Sequence, residues 1–293
     1  MTQRVSIVMP TYKRGDVAAA SLAAVGRMRD TAGVELVVVD DGSPEEDRAA
    51  LERAVGEVRF ARLLLQENRG PAAARNAGIA ATTAPLVAFL DDDCSPAEDW
   101  LEQLTSPFAE GDERLGAVGG RVLAAPPHNW VSRFCSASAY SSGLQPVFEN
   151  AATANACYRR STLEALGGFD EGFVYPGGDD PDLSARARAA GYRLEFVPAA
   201  IVYHRELDDY ADYMRHMYRR GLGEARLARK QGRRGRVIAR SLLFPAYLGR
   251  TGLGCWRRTV GKGGVGVRLV WVGLEIGGRT AFVAGSLRGL GIS

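Results

Sequence analysis

The chain has 293 residues, of which 46% are hydrophobic, and a formal net charge of +3. That apolar share supports a sizeable core. Four scattered cysteines (Cys94, Cys135, Cys157, Cys255) with no Cys-x-x-Cys pair exclude a disulfide framework or a cysteine-based zinc site. The near-neutral total conceals an asymmetry, because residues 1–213 carry 20 Lys and Arg against 32 Asp and Glu, whereas residues 214–293 carry 17 against 2.

The N-terminal MTQRVSIVMP runs directly into strand-like sequence, with no charged leader followed by an apolar stretch, and predicts a cytoplasmic protein. Val5–Met9 is a β-rich run closed by Pro10, and Asp16–Met28 has the pattern of a helix. Glu35–Val39 is wholly apolar after its first residue and stops at Asp40-Asp41-Gly42-Ser43. A helix is predicted over Pro44–Ala54, a strand over Arg62–Gln66, and an alanine-rich helix over Pro71–Ala80 after the turn Asn68-Arg69-Gly70. Leu86–Leu90 is a fourth strand that ends at Asp91-Asp92-Asp93. Apolar strands alternating with helices imply a parallel sheet covered on both faces, so the first 120 residues read as an α/β nucleotide-binding fold. Residues 121–178 are irregular. Beyond them come a helix over Asp180–Ala190, strand-like Leu194–Val197 and Ile201–His204, and a long basic helix over Asp209–Gln231.

In open parallel sheets, ligands bind beyond the carboxyl ends of the strands. Two strands here end in acidic clusters, and stacked carboxylates repel unless a cation or hydrogen-bond donors share the site. Asp91 and Asp93, two residues apart at a turn, suit a hard cation such as Mg²⁺ or Mn²⁺ bound to a diphosphate. A third cluster, Gly177-Gly178-Asp179-Asp180-Pro181-Asp182, opens the helix that follows. Helix capping accounts for one of its aspartates but not for three.

Six stretches in this order resemble family 2 glycosyltransferases over roughly residues 4–210. They are VSIVMPTYKR (Val5–Arg14), VVVDDGS (Val37–Ser43), NRGPAAARNAG (Asn68–Gly78), FLDDD (Phe89–Asp93), GGFDE (Gly167–Glu171) and GDDPDLSAR (Gly178–Arg186). The resemblance implies a GT-A-type α/β fold with a central, mostly parallel sheet, and an inverting, metal-dependent transfer from a nucleotide-sugar, UDP by default, to an acceptor hydroxyl. By the same resemblance, Pro10, Thr11 and Tyr12 line the nucleobase pocket and Asp41 contacts the base. Arg75 and Asn76 seat the nucleotide. Asp91 lies near ribose and metal, Asp92 is grouped with the nucleotide-binding residues, and Asp93 binds Mn²⁺ or Mg²⁺. Asp180 resembles the general base, with Asp179 as its alternative, because the family commonly has Glu at the latter position. His204 resembles a histidine that some members use as a further metal ligand. Lys13 stands where Asn is frequent.

The expected organisation is a catalytic domain over 1–210, divided into a donor half (1–120) and an acceptor half (121–210), and a basic helical extension over 211–293. No apolar run of the extension reaches a membrane span. Read as a helix, Val265–Leu287 is apolar apart from a narrow stripe of Arg268, Glu275 and Arg279. With its arginines, the extension suits a peripheral contact with anionic lipid at the inner face of the plasma membrane. The expected partners are thus a nucleotide-sugar, a glycan or lipid-linked acceptor, a membrane surface and a second copy of the chain. Nucleic acid is not among them. Trp130 and Tyr140 are candidates for stacking on acceptor sugar. Two other readings compete: a sugar nucleotidyltransferase, and a binding protein built on an inactive transferase domain.

Overall fold

The structure is a computed structural model, and it describes residues 4–137, 150–235, 238 and 265–291. Tyr140, Cys255 and the apolar run Ser241–Gly249 fall outside the described residues. The described chain forms two compact units: residues 4–127, 150–174 and 179–206 make one, and residues 128–137, 175–178, 207–235 and 265–291 belong to the other.

The first unit begins with three repeats of strand and helix. These are β1 (Val5–Thr11), α1 (Gly15–Val25), β2 (Val34–Asp40), α2 (Glu45–Gly56), β3 (Ala61–Leu65) and α3 (Pro71–Ala80), leading into β4 (Leu86–Phe89). β2 pairs with β1 and β3, and β1 with β4, all in parallel. Their near-continuous Val, Ile and Leu content follows from burial on both faces: Val5, Ile7, Val8, Leu36, Val37 and Val38 have no exposed surface. Gly78 lets α3 lie flat on the sheet, since a Cβ there would stand 2.4 Å from Val8 Cγ1.

The rest of this unit, including part of the stretch 121–178 that the sequence left irregular, completes the sheet. β5 (Cys94–Pro96), α4 (Trp100–Thr105), β6 (Leu115–Ala124), β7 (Ala156–Arg159), α6 (Arg160–Leu166), α7 (Asp179–Ala189) and β8 (Arg193–His204) give the strand order β3-β2-β1-β4-β7-β6-β8-β5. β7 runs antiparallel to both β4 and β6, and β5 antiparallel to β8, so the sheet is mixed beyond β4. The two strand-like pieces Leu194–Val197 and Ile201–His204 are one strand with a register shift between them. Pro198, which has no N–H to give, falls in the skipped residues. Asn155 fastens this region: it accepts from Trp100 Nε1 at 2.7 Å and donates to the Arg121 and Ala200 carbonyls.

The second unit contains α5 (Trp130–Ala137), α8 (Tyr210–Lys230) and α9 (Val265–Leu290). Asp209 caps α8 by accepting from Asp212 N at 2.9 Å. α8 and α9 meet through glycines on both sides. A Cβ on Gly221 would lie 2.0 Å from the Phe282 carbonyl oxygen, and one on Gly285 would lie 2.0 Å from that of Tyr218. Among the described residues no helix is long and apolar enough to cross a membrane.

Candidate active site

The carboxyl ends of β1, β2, β4 and β8 carry most of the residues singled out in the sequence, and all of these lie in the first unit. The turn after β4 brings three carboxylates together, two of them on the Arg14 guanidinium and the third on that of Arg75.

Asp92 is buried. Its Oδ2 accepts from Thr11 Oγ1 at 2.7 Å and its Oδ1 from Arg14 Nη1 at 2.9 Å. Burial, opposed by Arg14 and reinforced by Asp93, pushes its pKa up to about 7. Asp93 shares the same guanidinium, with Arg14 Nη2 at 2.9 Å from its Oδ2. Its other oxygen, Oδ1, faces His204 Nε2 at 3.5 Å. Burial opposes ionisation of Asp93, but His204 and Arg14 together hold it below the usual carboxylate range. For His204, burial pulls the pKa down, while Asp93 and Glu206 outweigh it and carry the group up to about 9. The pairing of Cys94 with His204 between β5 and β8 is what sets this juxtaposition.

Asp91 belongs to a second network. Arg75, presented from α3, places Nη2 2.7 Å from Asp91 Oδ1 and Nη1 2.7 Å from Asp179 Oδ2. The guanidinium is buried, and the Phe169 ring lies 5.8 Å away. Asp180, next in the chain, forms no ion pair among the described residues and accepts from Thr153 N at 3.4 Å. Loss of water and the neighbouring Asp179 charge, only partly offset by Arg75, push it up to about 7.

Two expected residues make their hydrogen bonds within neighbouring loops. Asp41 accepts four hydrogen bonds, from Gln66 Nε2, Asn68 Nδ2 and the backbone N–H groups of Arg69 and Gly70, at 2.6–3.1 Å. All its lone-pair directions are engaged in shaping that loop. A nucleobase contact through Asp41 therefore requires displacement of the Gln66 or Asn68 amide. Asn76 closes the Gly167–Glu171 turn by donating to the Phe169 carbonyl and to Glu171, and by accepting from Phe169 N. Pro10 lies in β1 beside Val39, and Tyr12 is exposed just beyond it. Lys13 adopts a left-handed φ of 56°, the conformation that favours Asn, and its Nζ sits 5.0 Å over the Tyr12 ring.

Sequence reasoning passed over Arg14 and Glu206. Signals were present for both: Arg14 ends the first matched stretch, and Glu206 lies two residues past His204. Their roles emerge only from pairings across 78 residues or more in one case and from side-chain burial in the other.

Among the described residues no three His, Cys, Asp or Glu side chains enclose a metal unaided. Asp93 Oδ1 and His204 Nε2 nevertheless form an oxygen–nitrogen pair that suits Mn²⁺ or Mg²⁺, with ligand oxygens left for a diphosphate to supply.

A family model described as glycosyl transferase family 2 matches residues 6–167, more than half of the chain. The chain belongs to glycosyl transferase family 2. That assignment sets aside the nucleotidyltransferase reading. The pre-mycofactocin glycosyltransferase of Mycobacterium tuberculosis is 34% identical to this family 2 member over 197 residues, covering 62% of this chain and 40% of the relative. Glycosyltransferase AglE of Haloferax volcanii is 28% identical over 229 residues, covering 75% and 72%. The chain thus spans about two fifths of the length of the first relative. Among solved structures, mannosyltransferase PcManGT from Pyrobaculum calidifontis, in complex with GDP-Man and Mn²⁺, matches with a TM-score of 0.66 at 20% identity, covering 99% of this chain and 88% of that one. GalNAc-T7 with UDP, GalNAc and Mn²⁺ matches at 0.54 and 18%, covering 71% and 44%. The fold of this family 2 member is therefore the GT-A fold.

Proposed function

We propose that this protein is an inverting, divalent-metal-dependent glycosyltransferase that uses a nucleoside-diphosphate sugar, with UDP as the default nucleotide, and delivers the sugar to a hydroxyl of a glycan or lipid-linked acceptor. The observation that carries this reading is the division of labour between Asp179 and Asp180. Asp179 is bound to a buried guanidinium at 2.7 Å and so is engaged in a structural pair. Asp180 has its pKa raised to about 7, the value that suits proton abstraction near neutral pH.

In this reading Asp180 takes the proton of the acceptor hydroxyl as that oxygen attacks the anomeric carbon. Attack comes from the face opposite the departing diphosphate, so one displacement inverts the configuration. Asp93 and His204 would hold the cation, with Asp91 beside it. When bound, the cation supplies Lewis-acid neutralisation of the charge that develops on the leaving diphosphate. Pro10, Thr11 and Tyr12 line the nucleoside end, and Asp41 shapes the Gln66–Gly70 loop around it. Arg75 keeps Asp91 and Asp179 in place. The use of Mn²⁺ in the PcManGT and GalNAc-T7 structures agrees with the metal assignment.

The exposed Arg215, Arg219, Arg226, Arg229 and Lys230 of α8 favour contact of the second unit with an anionic membrane surface, where a lipid-linked acceptor would lie. Sedimentation with anionic and with neutral vesicles tests that part. Equal partition to both would remove it.

The decisive experiment follows nucleoside diphosphate release from a panel of UDP-, GDP- and dTDP-sugars, with Mn²⁺ or with EDTA, beside Asp180→Asn. Release from one donor that requires metal and collapses in the variant supports the transferase. No release with membrane lipid extract as acceptor, and no metal-dependent nucleotide binding, supports an inactive domain instead.

A further inference from the structure

Asp93 and His204 present one atom each toward a common point, and in each case the other end of the side chain is engaged. For Asp93 the engaged end is Oδ2, held by Arg14 Nη2 at 2.9 Å. The same guanidinium is fixed at its other corner by Asp92, which Thr11 holds in turn. Asp93 Oδ1 is the oxygen left to face His204, with only the weak thiol donor of Cys94 at 3.6 Å nearby. The backbones are fixed as well. Arg205 N donates to the Asp93 carbonyl at 2.8 Å, and the His204 carbonyl accepts from Ala125 N at 2.8 Å.

The far side of the His204 ring meets Glu206. Glu206 Oε1 stands 3.5 Å from His204 Nδ1, is buried, and makes no closed hydrogen bond with any group. A buried carboxylate oxygen without a donor is aimed at the one ring atom that can give it a proton. With the N–H on Nδ1, the lone pair sits on Nε2 and points at Asp93 Oδ1.

We propose that Glu206 is a positioning residue for the metal site. It fixes the tautomer and orientation of His204, so that Nε2 and Asp93 Oδ1 are aimed at one cation before nucleotide binds. This inference rests on the metal assignment proposed above. Partners of this kind behind a metal-binding histidine set the ring and raise its basicity as a ligand. Nothing in the six matched stretches reaches Glu206, since the last ends at Arg186.

The test uses the full chain and Mn²⁺ as the probe, alone and with UDP or GDP. Binding is read by the loss of the free-ion electron paramagnetic resonance signal, and coordination by the nitrogen coupling of bound imidazole in pulsed spectra. Glu206→Ala is expected to weaken Mn²⁺ binding by about 10- to 100-fold and to diminish the nitrogen coupling. Glu206→Gln keeps an acceptor for Nδ1–H and is expected to recover most of both. His204→Ala abolishes the coupling, and adding Glu206→Ala to it is expected to cost nothing more, because Glu206 acts through the ring.

Thermal unfolding of each variant separates lost affinity from lost fold, and Glu206→Gln and the double variant carry the test if Glu206→Ala is unstable. Wild-type-like binding in Glu206→Ala overturns the inference. So does a loss that persists in full on the His204→Ala background, which would mark simple charge attraction. Binding by the wild type with no effect of Glu206 leaves the metal reading standing and removes only the positioning role. Failure of the wild type to bind Mn²⁺ with either nucleotide overturns the metal reading, and the inference with it.

Discussion

Arg75 Nη1 stands 2.7 Å from Asp179 Oδ2, and both side chains are almost wholly withdrawn from water. This contact separates two adjacent aspartates that the sequence alone leaves equivalent. Asp180→Asn is expected to lower kcat by about 10²- to 10⁴-fold, the range of general-base assistance. Asp179→Asn is expected to retain far more activity, because an amide oxygen still accepts from Arg75. Steady-state rates of the two variants with a saturating donor check this, and the reverse order would move the base to Asp179.

The pH profile carries the same assignment. Asp180 is protonated below about pH 7 and gains its basic form as pH rises through that value. The rate kcat/KM is therefore expected to fall on the acid side of about 7. Because the Asp179 charge raises the Asp180 pKa, Asp179→Asn is expected to move that limb to lower pH. An unmoved limb would show that another group controls it.

Arg75→Met removes the cation between two carboxylates and leaves Asp91 and Asp179 without their partner. Breaking one side of a buried ion pair typically costs about 3–5 kcal/mol. Urea denaturation, compared at equal slope, is expected to show a loss in that range. A change below about 1 kcal/mol would mean that water reaches the pair.

Asp41→Asn tests the loop rather than the chemistry. Asp41 presents acceptors in all four directions, so an amide NH₂ would face two donors wherever it is placed. The expected loss is about 1–3 kcal/mol of stability, read from the denaturation midpoint. If stability is unchanged and one nucleotide instead loses affinity, Asp41 reads the base directly.

Lys13→Asn is the one substitution expected to stabilise. Lys13 holds a left-handed φ that an unbranched cationic side chain rarely adopts and Asn tolerates. The gain is expected to be at most about 1 kcal/mol, visible as a rise in Tm.

The repeated strand–helix units up to β4 were legible because their signals are local: apolar runs, a turn, then helical spacing. Asp40 and Asp91 mark strand ends that the structure places at Asp40 and Phe89. β6 and β7 were not legible. Their Gly119, Gly120 and Ala156 lack the bulky, branched residues of the early strands, since Gly120 must leave room for Asn155 and the Ala200 carbonyl. The acidic positions of the site were equally readable as chemistry but not as partnerships. Asp91, Asp92 and Asp93 are consecutive, yet one answers to Arg75, one to Thr11 and Arg14, and one to Arg14 and His204. Such sorting depends on which strand ends are neighbours, and no spacing rule carries it.

The glycine seam between α8 and α9 has a consequence for how this part of the chain holds its shape. Glycine inside a helix is unfavourable by roughly 1 kcal/mol against alanine, and α8 has two within three residues, Gly221 and Gly223. Left alone, α8 would be weakest at its middle, where its surface is smoothest. At Gly221 α9 supplies the backbone contact that side chains supply elsewhere, while Gly223 rests on the Gly177 carbonyl, so α8 and α9 are expected to form and to melt together. A protein shortened to end near Gln231 would lose helicity from α8 as well as from the removed segment, and its circular dichroism would report more lost helix than the missing residues account for.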